Sequence, residues 1–378
     1  MSRIALIAGT YAPDRCGVAD YTDRLRTALS QLGIESVVLT TVAAAQGADV
    51  WGVVPDWHLR SLLALVRVVH QSQADFLHLQ HAAGTDGFDR AIFLLLLLLR
   101  ITGWHKPIVT TVHEYGWWEW QPAIVPPKLL ERLKTWGQKH GRWDREDGFL
   151  LTHSDAIITT NCDAKQVILD RLPQFQGSVY QVAIGADVEV AMIDHAVARH
   201  QILQTCGWSD EVAIVAFFGF LHPVKGLETL LPTFKQVLAS QPHTRLLLIG
   251  GVESLALSGE DARQYWQQLK QTIFQLNLEN HVYMIGYLKA EKASQFLAGA
   301  DIGVLPFNHG VTLKSGSLLT LMAHGLPVIA TRSQGIKDEL ENNSLIKLVN
   351  PRDIEGLNHE LANLLINPAL RSQLGLAG

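Results

Sequence analysis

Cysteine is scarce: Cys16, Cys162 and Cys206 are the only three in 378 residues. They are odd in number and far apart, so neither a disulfide framework nor the paired spacing of a zinc site follows from them. Their sparseness suits a reducing cytosol. Charge is low as well, at 18% of residues with a net of -5. A general nucleic-acid binder carries a basic surplus, and this chain has none. Low charge beside 48% hydrophobic residues excludes wholesale disorder. Long apolar runs are missing too. The most membrane-like stretch, Ala91 to Leu99 with six consecutive leucines from Leu94, is bounded by Arg90 and Arg100. It falls far short of the roughly 18–20 residues that span a bilayer, and it reads as a buried helix. The apolar start, Arg3 to Gly9, is too short for a signal peptide. No Asp-x-Asp pair stands at a plausible strand end, so no metal site is expected. The sequence shows no internal repeat, low-complexity tract or long Gly/Ser linker.

What is present is an alternation. Ile4–Ala8, Ser36–Thr40, Phe76–Leu79, Ile108–Val112 and Ala156–Thr160 are short runs rich in Val, Ile and Thr, separated by helix-length segments. That order predicts a parallel, doubly wound sheet. The pattern restarts at Glu211 with Val212–Phe218, Arg245–Ile249, His281–Ile285, Ile302–Pro306, Pro327–Thr331 and Leu345–Val349. The expectation is an α/β protein of two Rossmann-like halves across a cleft, meeting between Val182 and Asp210. At about 100–200 residues per domain the length agrees with two.

In open α/β sheets ligands sit outside the carboxyl ends of strands, and the candidate residues lie there. The first loop, residues 11 to 21, joins a strand to a helix; Gly17 lets backbone approach a ligand. His113 ends another strand, where an imidazole can bond a sugar hydroxyl or act as a base. Trp117, Trp118 and Trp120 follow, and indole faces stack on sugar rings. Residues 127 to 145 carry Lys128, Arg132, Lys134, Lys139, Arg142 and Arg145 among Leu129, Leu130, Leu133 and Trp136. Such a helix suits peripheral membrane contact, although the commoner arrangement is a solvated helix with a core-facing apolar stripe.

The second half opens on Gly219, with Lys225-Gly226 before a helix; a lysine there reaches a diphosphate. The richest segment is Leu305 to Thr331. Thr312, Lys314, Ser315, Gly316 and Ser317 precede a helix through Leu318, Thr320 and Met322. A helix N-terminus with a lysine and two hydroxyls makes a diphosphate cradle. Equally, Ser315 is a good N-cap in its own right.

Taken together these segments resemble the family 4 glycosyltransferases of the GT-B fold, in order and spacing, over nearly the whole chain. Gly17 resembles the family's N-terminal glycine loop and His113 its histidine after a strand of the first domain. Gly219 and Lys225-Gly226 resemble "GR…KG"; Asp301 and Pro306 resemble "aD…lP"; Ala323 to Thr331, AHGLPVIAT, resembles "A.G.PV.a". The resemblance implies an acceptor-binding domain over 1–190 and a nucleotide-sugar-binding domain over 191–378. It implies sugar transfer from a nucleotide diphosphate donor to a saccharide or lipid-linked acceptor, with retention and no obligatory metal; no other cofactor is expected. His113 is the catalytic candidate and Trp117 and Trp118 the acceptor contacts. Gly17, Gly219, Lys225, Thr312, Lys314, Ser315, Gly316, Ser317 and Thr320 are the donor contacts.

The chain departs from the family in three ways. The "E-x7-E" pair falls on Thr312 and Thr320, the arginine of "GR" is Phe220, and the sequence stops after one helical stretch where relatives continue with another helix. The departures leave two alternatives in play: a non-catalytic GT-B protein that binds a nucleotide or a partner, and a nucleotide-sugar epimerase.

Overall fold

The alternation of short apolar runs and helix-length stretches folds into two parallel sheets flanked by helices in the computed structural model of the protein. It describes residues 2–378 other than 13, 15, 88, 117, 118, 120, 122–124, 255, 334–339 and 341–344. Trp117, Trp118 and Trp120 therefore lie outside the described residues. The chain divides into two compact units, Met1–Ala183 and Ile184–Gly378.

The first unit runs β1 (Arg3–Ala8), α1 (Gly17–Gln31), β2 (Glu35–Thr41), β3 (Val50–Val54), α2 (Leu59–Gln71), β4 (Phe76–His81), α3 (Leu95–Ile101), β5 (Ile108–Val112), α4 (Pro127–Lys139), β6 (Ala156–Thr159), α5 (Cys162–Arg171) and β7 (Val179–Gln181). Its strand order is β3-β2-β1-β4-β5-β6-β7, and every neighbouring pair is parallel. The order reverses between β1 and β4, which is the switch point where such sheets bind ligands. The edge strands β3 and β7 carry no clear sequence signal: Gly52 interrupts β3, and β7 has three residues.

The leucine run is not one helix but a 3-10 turn over Arg90–Leu94 leading into α3, and it buries Ile92, Phe93, Leu95, Leu96 and Leu99. Among the described residues no helix is long and apolar enough to cross a membrane. Helix α4 departs from the usual amphipathic arrangement. Of its apolar residues only Leu130 turns inward; Lys134 is 1% exposed, and Leu129, Leu133 and Trp136 lie on the surface. The reason is electrostatic. Lys134 Nζ is 2.9 Å from Glu119 and 3.5 Å from Glu131, which makes its burial tolerable. Gly137 meanwhile gives room to the Trp143 ring, since a Cβ there would lie 2.0 Å from it.

The second unit runs α6 (His195–Cys206), β8 (Ala213–Phe218), α7 (Leu227–Ser240), β9 (Thr244–Ile249), α8 (Gly259–Gln275), β10 (Val282–Gly286), α9 (Ala290–Ala298), β11 (Ile302–Leu305), α10 (Gly316–Ala323), β12 (Val328–Thr331), β13 (Lys347–Val349), α11 (Ile354–Ile366) and α12 (Pro368–Ala377). The order β10-β9-β8-β11-β12-β13 is again parallel and reverses between β8 and β11. The C-terminal helical stretch is two helices, because Asn367 accepts a bond from Leu370 N–H and caps a fresh start at Pro368.

Candidate functional site

At the switch point of the second unit the loops after β8 and β11 are packed so closely that only glycine fits. Gly226 has φ +72°, and a Cβ there would lie 1.8 Å from the carbonyl oxygen of Pro306. Gly219 has φ +133°, and a Cβ there would lie 2.7 Å from Ser317 Oγ. The left-handed and mirror-β regions that these angles occupy are cheap for glycine alone. Gly219, Ser317 and the start of α10 are thus brought together, and Lys225 is fixed beside them. Its ammonium lies 3.7 Å from the centroid of the Phe307 ring, a cation–π contact. Among the described residues it has no hydrogen-bond or ion-pair partner. Burial lowers its pKa to about 8, partly opposed by the negative charge of Asp187.

Ser315 caps α10 and accepts a bond from Leu318 N–H at 3.4 Å. Thr312 accepts the Lys314 N–H at 3.2 Å, closing the turn before the helix. Thr320 accepts the backbone N–H of Asp187 at 2.9 Å. Gly316 then makes room for the Asp187 carboxylate: a Cβ at Gly316 would lie 2.1 Å from both of its oxygens. An acid at a helix N-terminus is favoured by the helix dipole. Asp187 was not picked out in the sequence; it sits before the first strand of its sheet, and only the fold brings it to α10.

In the first unit Gly17 opens α1, capped by Cys16, with open space where a side chain would be. His113 follows β5. Its backbone N–H donates to His81 at 3.0 Å, its Nε2 pairs with Gln80 Oε1 at 3.0 Å, and its ring meets Tyr21 edge-on at 4.8 Å. Since Gln80 Oε1 can only accept, the pair favours the Nε2–H tautomer of His113. The loop is anchored again three residues on, where Gly116 N–H donates to both oxygens of Glu146 at 2.8 and 2.9 Å.

Behind it lies a buried charged network. His81 sits between Asp86, 3.2 Å from Nδ1, and Asp147, 3.3 Å from Nε2. Burial alone would lower the His81 pKa; the charges of Asp147 and Asp86 reverse this and push it up to about 10. Burial raises the pKa of Asp86, Asp144 and Asp147, against the pull of their hydrogen-bond and charge partners. Tyr115 donates to Asp144 at 2.8 Å, and Arg171 pairs with Glu146 at 2.8 Å while lying over the Tyr115 ring. The strand expected over Phe76–Leu79 stops short of Gln80 and His81, and no member of this network was picked out in the sequence. Among the described residues no cluster of His, Cys, Asp or Glu is arranged to hold a metal.

Residues 212–367 match the family model described as glycosyl transferases group 1. A GDP-mannose-dependent monoacylated alpha-(1-6)-phosphatidylinositol monomannoside mannosyltransferase of Corynebacterium glutamicum is 28% identical over 177 residues, 46% of this chain and 43% of the relative. A D-inositol 3-phosphate glycosyltransferase of Segniliparus rotundus is 26% identical over 239 residues, 61% of this chain and 49% of the relative. The chain thus spans about half the length of these curated relatives. In fold it is similar to the sucrose-phosphate synthase of Thermosynechococcus elongatus, with a TM-score of 0.70 at 20% identity over 100% of this chain and 93% of the other. With two parallel sheets that each reverse strand order at a switch point the chain has the GT-B fold, and its second unit is similar to the group 1 glycosyl transferases.

Proposed function

We propose that this protein transfers a glycosyl group from a nucleoside-diphosphate sugar to a saccharide or lipid-linked acceptor, with retention and without an obligatory metal. The observation that carries the reading is Lys225, a half-buried ammonium at the β8–β11 switch point that has no hydrogen-bond or ion-pair partner among the described residues. A cation held there against an aromatic ring rather than a carboxylate suits a ligand that brings negative charge. In the transfer, the bond from the anomeric carbon to the diphosphate oxygen breaks, a bond to the acceptor oxygen forms, and the acceptor hydroxyl loses its proton. Charge builds on the leaving diphosphate. Lys225 and Lys314 are positioned in the chain to meet it, and preorganised charge of this kind acts mainly in the transition state. Asp187 already stands at the N-terminus of α10, so the two lysines carry the larger part of the attraction.

Donor binding belongs on this reading to the second unit, through Gly219, Lys225, Thr312, Lys314, Ser315, Gly316, Ser317 and Thr320. The first unit takes the acceptor and contributes Gly17 and His113, the latter against the donor sugar. The similarity to a GDP-mannose-dependent phosphatidylinositol monomannoside mannosyltransferase and to a D-inositol 3-phosphate glycosyltransferase supports this class of donor and acceptor.

The test is calorimetric titration of nucleosides and their diphosphates. A hydrogen bond to a charged group contributes about 1.5–3 kcal/mol, so Lys225→Gln should weaken diphosphate binding roughly tenfold to a hundredfold and leave nucleoside binding unchanged. Affinity for the diphosphate should also fall as pH rises through about 8, where Lys225 loses its proton. Equal effects on nucleoside and diphosphate would remove Lys225 from the site. Incubation with nucleotide sugars and an acceptor extract should give sugar transfer. Binding without turnover would make the chain a binding protein, and donor conversion without acceptor an epimerase.

A further inference from the structure

The exposed face of α4 is apolar where a solvated helix is polar. Leu129, Leu133 and Trp136, spaced i, i+4 and i+7, are 50%, 38% and 50% exposed. At about 100° per residue these three form one stripe. Lys128, Arg132 and Lys139 form a second exposed stripe beside it, and Arg142 follows just past the helix. Residues 127–145 hold six cations and two acids in a chain whose net charge is -5. The nearby acids do not neutralise the outer stripe, because they are engaged elsewhere. Glu131 pairs with Lys134 and Arg145, Glu119 pairs with the same two cations, and Asp144 is buried against Tyr115. The aromatic end is shaped as well: the Trp136 ring packs on His140 and Trp143 with centroids 4.8 and 5.4 Å away, and still leaves half of its surface outside.

Lys134 is what produces this arrangement. By turning inward to its glutamates it rotates the helix so that two leucines and a tryptophan face out. A face of Leu and Trp flanked by Lys and Arg is the composition that settles into the headgroup region of a bilayer, the apolar side chains entering the acyl boundary and the cations meeting lipid phosphates. We propose that this face of α4 is a docking surface for an anionic lipid bilayer. The cationic surplus names the occupant: a protein partner for an apolar stripe needs no phosphate charge around it, and an anionic membrane does. The proposal does not depend on glycosyl transfer, and its test uses neither nucleotide nor sugar.

The full chain is floated with phosphatidylcholine vesicles and with vesicles that also contain phosphatidylglycerol, over a range of salt. Binding to the anionic vesicles, weakening as salt rises, is expected. Each surface cation contributes about fivefold to partitioning, so Arg132→Glu should weaken binding by more than that. The double variant Leu133→Ser, Trp136→Ser should lose binding roughly tenfold or more. Leu129→Gln, a single exposed change whose melting curve should match the parent, should show a smaller loss in the same direction. Failure of the parent chain to float with anionic vesicles would overturn the proposal. So would double-variant chains that float as well as the parent. Sedimentation velocity that shows the parent as a dimer and the double variant as a monomer, with vesicle binding unchanged, would assign the stripe to a second copy instead.

Discussion

The two units finish their parallel strands at the switch point with different chemistry. The first ends β4 on Gln80-His81 and surrounds that end with buried Asp86, Asp144, Glu146 and Asp147. The second ends β8 and β11 on Gly219 and Pro306 and brings backbone, hydroxyls and one lysine together. Their cores differ as well. The second unit has one continuous hydrophobic cluster from Val188 to Leu374, whereas the first breaks into three. Ala5, Ile7, Val37 and Leu39 lie in one cluster and Ile4, Leu6, Ala8 and Val38 in another, the two faces of one sheet, while the buried charges at the end of β4 need partners of their own. Sensitivity to substitution should therefore be electrostatic in the first unit and steric in the second.

The largest effect should come from breaking the charged network. His81→Leu removes the cation between two buried carboxylates, and stranding a buried charge in this way costs about 3–5 kcal/mol. Urea unfolding should read that loss, and Asp147→Asn in the same background should recover part of it. A loss below about 1 kcal/mol would mean that the network is not charged. The pH dependence carries the same information. The folded pKa of His81 lies above its ordinary value, so its contribution is fully present below about pH 6.5 and is lost as pH rises toward about 10. The raised pKa values of Asp86 and Asp147 work in the same direction, since the folded state holds their protons more tightly. The midpoint of unfolding should fall between pH 7 and 10, and His81→Leu should flatten that slope.

A steric change in the second unit should come next. Gly226→Ala places a methyl group 1.8 Å from a carbonyl oxygen at φ +72°, and local strain of this kind costs about 1–3 kcal/mol. The expected outcome is a lower urea midpoint together with weaker diphosphate binding, because Lys225 is the preceding residue. Full retention of both would mean that the β8–β11 junction yields more easily than its geometry implies.

The same contrast explains what the sequence revealed. Both sheets were legible because buried parallel strands are short, apolar and β-branched: Ile108–Val112 and Val212–Phe218 announce themselves by composition. Edge strands β3 and β7 are short and only half covered, so their composition is unremarkable. In the second unit the start of α10 was legible too, since a capping serine followed by glycine leaves a local mark. Asp187 left none, because its role depends on α10, more than a hundred residues away. Helix α4 deceived in the opposite sense. Its periodicity gives the spacing of the apolar stripe but not which face turns inward, and Lys134, read as solvated, decided that by pairing with Glu119.

The smallest expected effect on stability is at Gln80, and it separates support of His113 from support of the fold. Gln80 is 0% exposed, and its Nε2 is buried without a hydrogen-bond partner. A buried orphan donor costs free energy, while the bond from His113 to Oε1 returns about 0.5–1.5 kcal/mol. In Gln80→Leu the two terms oppose each other, and the unfolding midpoint should move by no more than about 1 kcal/mol in either direction. His113 should change much more. Without an acceptor at Nε2 its tautomer is no longer selected, and nitrogen-15 shifts of its imidazole should report a mixture where the parent chain shows mainly Nε2–H. If His113 contacts the donor sugar, transfer should slow while diphosphate affinity, set in the other unit, stays where it was. A midpoint that falls with the tautomer unchanged would reduce Gln80 to packing, and the first unit's charged network would then stand behind His113 without Gln80 as its link.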